Sequence, residues 1–253
     1  MSLIVSVLLT LLLGAQQPAI AVSTAPATAV ATARQDAALA LARIYIPADT
    51  MMDAELNAFD TQFEVQMAKN PELAALEKRA PGAISAMARA ARPILRQVQE
   101  KKIGRAQAGV AKLFAKRLND RDMAELTAFY RMPEIRSALR KIAMGVDVSK
   151  TMEKVARDPD YQVKKDDLRR NVETGVASAQ GSLTAAENTA IKSLEGKPGY
   201  QRLSELDSDI SAIILAARNG ADPESDRLIQ ETMRKAIEDH MAAAAPADSD
   251  AGQ

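Results

Sequence analysis

Leu118-Asn119-Asp120-Arg121-Asp122-Met123-Ala124-Glu125-Leu126-Thr127-Ala128-Phe129-Tyr130-Arg131-Met132-Pro133 is the stretch that sets the fold class of this 253-residue chain. Asn119 is placed to cap a helix whose apolar positions, Leu126 and Phe129, recur at helical spacing, and Pro133 opens a second helix at once. The same order of roles returns 65 positions on (118 to 183), in Leu183, Thr184, Glu187, Ile191, Leu194 and Pro198. Thr184 and Glu187 have the form of a capping box, in which each side chain satisfies a backbone N–H that the helix start leaves orphaned. Asn119 and Asp122 keep that spacing with weaker residue types. Short helices need a partner to bury their apolar stripe, so both segments read as corners turned against a core. Only the leucine and the proline are identical between them, which leaves true duplication and unrelated helix corners both open.

Helical patterning extends outward in both directions. Leu39, Leu41 and Ile44 predict a short first helix that stops before Pro47, and Asp49 or Thr50 caps a second carrying Met52, Leu56, Phe59, Phe63 and Met67. Asn70 and Pro71 read as N-cap and first helical position, and Pro81-Gly82 breaks the chain before Ile84, Met87, Leu95 and Val98. Pro93 is expected to kink or divide that run, with Val110, Leu113 and Phe114 on a further helix. Downstream, Ile135, Leu139 and Ile142 end at Gly145, and Met152 with Val155 make a short helix. Asp158-Pro159 opens a helix through Tyr161, Leu168, Val172 and Val176, and Pro198 starts a run to Asn219-Gly220. Pro223 starts the last helix, with Leu228, Met233, Ile237 and Met241. No run alternates with period two, so the expected class is all-α, a compact array of about ten mostly short helices without a sheet.

The first charged residue is Arg34, which sets the N-terminus apart. Leu3 to Leu13 is an apolar run too short to span a bilayer, and Ala19-Ile20-Ala21 has the small-x-small form of a cleavage site. The expectation is a signal peptide over 1–21, cut after Ala21, then a flexible Ala/Thr/Pro linker over 22–33, a helical domain over 34–241 and a disordered tail over 242–253. Export of this kind places the chain in the periplasm. With no cysteine there is neither a disulfide nor the lipid-bearing residue of a lipoprotein, and stability must come from packing. The 33 basic and 33 acidic side chains cancel, which removes the simplest case for nucleic-acid binding. No second long apolar segment follows, so no transmembrane span is expected in the mature chain.

Phe114, then Leu118-Asn119-x-x-Asp122-x-x-x-Leu126-x-x-Phe129-Tyr130-x-x-Pro133, resembles the core of a bacterial exported family catalogued as domain of unknown function twenty-fifty-nine. In that family a phenylalanine-threonine pair, an acidic residue three positions after the threonine, a phenylalanine-tyrosine pair and a serine-proline-x-glycine turn follow in order. Here Asn119 stands for the threonine, Met132 for the serine and Ile135 for the glycine. The resemblance covers about 95–156, and a degenerate second copy would span about 165–218. It implies an exported helical protein with no assigned biochemical activity.

A search for chemistry yields little. His240 is the only histidine and lies near the C-terminal end, where it reads as a solvent-exposed bystander. Asp158-Pro159-Asp160, Asp166-Asp167 and Asp207-Ser208-Asp209 lack the central glycine and twelfth-position Glu of a calcium loop, so they read as caps and solvated faces. No Gly-rich phosphate loop, nucleophile elbow or metalloprotease motif occurs, and no catalytic, cofactor or metal residue is assigned. Arg89, Arg92 and Arg96 fall at helical spacing as a basic strip, fit either for acidic head groups, envelope polysaccharide or an acidic partner, or for plain solvation. Phe129 continues the Leu126 face into the core, while Tyr130 seals a second helix contact or lines a groove. These features favour a non-enzymatic envelope interaction or assembly module with a protein partner, self-association or peripheral envelope contact. A binding module for a lipid or small hydrophobic ligand is the alternative, and a carboxylate-based enzyme comes third.

Overall fold

The computed structural model describes residues 29–158, 161–220 and 222–244. Among them regular structure is all helical: α1 (Ala29–Tyr45), α2 (Ala48–Met67), α3 (Pro71–Arg79), α4 (Ala83–Arg117), α5 (Asp120–Tyr130), α6 (Pro133–Met144), α7 (Ser149–Arg157), α8 (Lys165–Gln180), α9 (Ala185–Lys192), α10 (Pro198–Glu205), α11 (Asp207–Asn219) and α12 (Pro223–Ala244). The expected all-α array is therefore the architecture of the described chain. The expected signal segment lies outside the described residues, as does most of the expected tail.

Several helix boundaries differ from expectation for local reasons. Helix α1 begins at Ala29, so 29–33 are helical rather than linker, and α12 runs to Ala244, three residues into the expected tail. Pro93 does not divide α4, a single helix of 35 residues. Both Pro93 and Arg89, whose carbonyl loses its i+4 donor, are exposed, so that carbonyl is available to water. Helix α8 starts at Lys165 rather than at Pro159, and the run from Pro198 is split at Leu206, which closes α10 and opens α11.

Asp49 and Thr50 fall inside α2, which starts at Ala48, so neither caps it, but three other expected caps are in place. Asn70 Oδ1 accepts from the Glu72 and Leu73 amides at 2.9 and 3.3 Å, and Asn119 Oδ1 accepts from the Asp122 amide at 2.8 Å. Thr184 and Glu187 close a full capping box.

The described residues form two compact units, 29–54 with 101–220 and 55–100 with 222–244. In the first, α1 packs on α5, α6 on α8 and α9, and α5 on α10. Its centre is aromatic: the Tyr45 ring meets Phe114 at 5.6 Å and Tyr130 at 5.3 Å, both edge-to-face, and Phe129 lies 5.2 Å from Tyr130. Phe129 is core as expected, and Tyr130 is fully buried at the contact with α1. Ile142 packs with Val172, Val176 and Ala179 where α6 meets α8. Gly175 permits that approach, since a Cβ there would lie 2.5 Å from the Ile142 carbonyl oxygen.

In the second unit Phe63, Ile84 and Met87 form one buried cluster and Leu76, Ala80 and Ala83 another. Glu77 shapes the turn between α3 and α4 by accepting from the Gly82 amide at 2.6 Å and the Ile84 amide at 2.9 Å. The Ile84 and Gly82 amides hold its carboxyl below the usual range. Gly82 sits at φ +90°, a conformation that side chains with a Cβ resist.

Candidate functional site

Three carboxylates are buried among the described residues, Asp122, Asp167 and Glu187, and each occupies the third position of its helix. The first turn of a helix presents unpaired N–H groups and positive potential, so a carboxylate there is favoured before any partner arrives. Each then receives a cation from another helix. Arg202 Nε of α10 lies 2.5 Å from Asp122 Oδ2, Lys154 Nζ of α7 lies 2.5 Å from Asp167 Oδ1, and Lys141 Nζ of α6 lies 2.8 Å from Glu187 Oε2.

Two of these ties run reciprocally between the corners. Asp122 belongs to the first helix of the 118–133 corner and is held from α10, which Pro198 of the second corner opens. Glu187 belongs to the first helix of the 183–198 corner and is held from α6, which Pro133 of the first corner opens. The packing matches the charges, with α5 on α10 and α6 on α9. The corners exchange both apolar faces and ion pairs.

Glu187 Oε2 also accepts from the Thr184 amide at 2.6 Å, and Thr184 Oγ1 accepts from the Glu187 amide at 3.2 Å. Lys141, then the Ser137 hydroxyl, then the Thr184 amide bring the Glu187 pKa down to about 2. Asp167 is bound more densely. Its Oδ1 accepts from Lys154 and, at 3.0 Å, from Arg170, and its Oδ2 accepts from the Tyr161 hydroxyl at 2.6 Å and the Lys164 amide at 3.0 Å. Burial opposes ionisation of Asp167, but the bonds from Lys154, Tyr161 and Lys164 outweigh it and hold the carboxyl well below its usual range.

Neighbouring polar groups are satisfied too. Asn171, with its nitrogen donating to the Asp147 and Asp167 carbonyls at 3.0 Å each, accepts from Thr151 at 3.2 Å. Lys154 and Lys164 flank the Tyr161 ring at 5.4 and 5.7 Å from its centroid. A carboxylate with four donors has no lone pair left for a metal or a substrate proton, so Asp167 works as a structural hub for the segment between α7 and α8.

The Tyr130 hydroxyl is buried without a hydrogen-bond partner, and burial, with Tyr200 nearby, pushes its phenol pKa well above the usual range. It is a neutral group in a hydrophobic setting. No cluster of three or more His, Asp or Glu side chains fit to hold a metal occurs among the described residues. No described helix is long and apolar enough to cross a membrane.

The basic strip is largely spent within the second unit. Arg92 forks onto Asp60, Nε to Oδ1 at 2.9 Å and Nη2 to Oδ2 at 3.0 Å, and Arg96 lies 3.5 Å from Glu100 one turn along α4. Arg89 stays exposed on the same helix. Of the acidic groups that resemble oxygen ligands, Asp166 pairs with Arg169 and Asp209 with Arg117. His240 is no bystander: its Nε2 lies 2.9 Å from the Pro81 carbonyl oxygen, 159 positions away. A carbonyl only accepts, so Nε2 carries the hydrogen.

Residues that sequence reasoning missed here are the cations Lys141, Lys154 and Arg202. The acid at the third helical position is the signal that marks their partners. Comparison with protein-family models, with curated proteins and with solved structures finds no match for this chain.

Proposed function

We infer that the protein is a non-enzymatic helical module exported to the bacterial periplasm, where it acts through its surfaces in envelope interaction or assembly. The observation that supports this reading best is how its ionisable groups are used. The buried acids Asp122, Asp167 and Glu187 are each neutralised by a cation and seated at a helix start, an arrangement that orders helices and leaves these carboxylates unavailable as acid or base. Export rests on the apolar run Leu3 to Leu13 with Ala19-Ile20-Ala21, and the resemblance of 95–156 to the exported family of unknown function agrees with it.

Crosslinking in cells that express the full chain tests the central statement. A defined heteromeric or self-crosslinked product is expected, and recovery of monomer alone under conditions that trap a known envelope complex contradicts it. N-terminal sequencing of the mature protein should begin at Val22. An intact Met1 in a cytosolic fraction overturns the assignment to the periplasm.

A further inference from the structure

We propose that the row Lys101, Arg105, Lys112 and Lys116 on α4 is a peripheral docking ridge for the anionic head groups of a bilayer. That this bilayer belongs to the envelope rests on the export reading above; the ridge itself rests on its geometry. Helix α4 carries nine cations and a single acid, Glu100, which Arg96 holds at 3.5 Å. From Lys101 to its end the helix has no acid at all. At about 100° and about 1.5 Å per residue, the four cations fall within an arc of about 60° and extend over about 22 Å. All four are exposed. Ile103, Ala106, Val110 and Phe114 are buried on the far side of the same helix, so the row points away from the core.

Unlike Arg92 and Arg96, the row is not neutralised from within the protein. Among the described residues no carboxylate pairs with Arg105, Lys112 or Lys116. Two acids near the C-terminal end of α4 are already engaged, Asp120 by Arg34 and Asp209 by Arg117. Lys101 with Arg105, and Lys112 with Lys116, are like charges one turn apart, an arrangement that costs helix stability until an anion neutralises it.

The shape of the row selects its occupant. Gly104 and Ala108, exposed between the cations, raise no bulk above the ridge, and a Cβ at Gly104 would meet nothing within 4 Å. No aromatic or large apolar side chain is exposed along 101–117 to anchor a folded protein or to stack on a base. A straight, open line of cations without an apolar wedge fits a flat surface of negative charge and rests on it without inserting.

Vesicle co-sedimentation of the full chain tests the ridge. Vesicles of equal parts phosphatidylglycerol and phosphatidylcholine should bind it at low ionic strength and release it as salt is raised, while vesicles of phosphatidylcholine alone should not bind it. Combining Arg105→Gln, Lys112→Gln and Lys116→Gln should weaken binding about a hundredfold, about fivefold for each cation. Combining Arg227→Gln, Arg234→Gln and Lys235→Gln removes the same net charge from exposed positions of α12 and should change binding less than about twofold. An equal loss from both triple variants, or no loss from the first, overturns the ridge. Retention on a soluble polyanion such as heparin with no binding to the anionic vesicles overturns the bilayer as its occupant. Either failure leaves the cellular crosslinking test of function untouched, and crosslinking that recovers monomer alone leaves the vesicle result standing.

Discussion

The corners at 118–133 and 183–198 solve one problem with different residues. At the first, Asn119 caps the helix by itself and Asp122 turns away to Arg202. At the second, Thr184 and Glu187 share the cap, and the same Glu187 carboxylate also takes Lys141. The first separates the capping function from the tying function, and the second loads both onto one side chain. Loss of a cation should therefore cost the corners unequally, because Glu187 keeps other donors when its lysine goes and Asp122 loses its charge partner.

The largest expected effects lie in the apolar positions that the two corners share. Leu126→Ala should destabilise by about 4 kcal/mol, and its counterpart Ile191→Ala, at the margin of burial, by about 2 kcal/mol. Denaturant midpoints with unchanged slope check both values, and a larger loss at Ile191 breaks the assigned correspondence. Next come the cations. Arg202→Met should cost about 2 kcal/mol, a buried-pair penalty discounted because Arg202 is 46% exposed. Lys141→Met should cost less, since the Thr184 amide and the Ser137 hydroxyl still reach Glu187.

Acid sharpens the contrast further. The Glu187 pKa is lowered in the folded chain, so its contribution is present above the ordinary carboxylate range and is lost as pH falls toward about 2. Thermal unfolding of the native protein followed between pH 5 and 2 should lose stability more steeply than that of Glu187→Gln. Asp167 titrates in the same direction and keeps part of the slope in that variant. The smallest effect is expected at Gly199, which follows Pro198 where Glu134 follows Pro133. A Cβ there would meet Asp122 at 3.4 Å and Glu125 at 3.5 Å, so Gly199→Ala should fall within about 0.5 kcal/mol of neutral, helix propensity offsetting the contact.

Legibility followed the range of the interaction. Asn70-Pro71 and Thr184–Glu187 were readable because a cap is written within four residues, and the all-α class because stripes repeat every turn. Pro93 misled because sequence does not show which side of a helix faces water. Pro159 misled because what positions the 161–164 segment is the hub at Asp167, whose lysine comes from another helix. The partners of Asp122 and Glu187 lie 80 positions (122 to 202) and 46 positions (141 to 187) away, and His240 meets Pro81 over a longer span still. Arg92 reads as a free basic site until Asp60 is brought opposite it by folding.

The two corners, by exchanging cations and faces, form one cooperative body. Hydrogen exchange of α5, α6, α9 and α10 in Arg202→Met tests it most directly. The prediction is an equal loss of protection in all four helices, because the opening they share has been made easier. Loosening confined to α5 and α10, with α6 and α9 as protected as before, would contradict it.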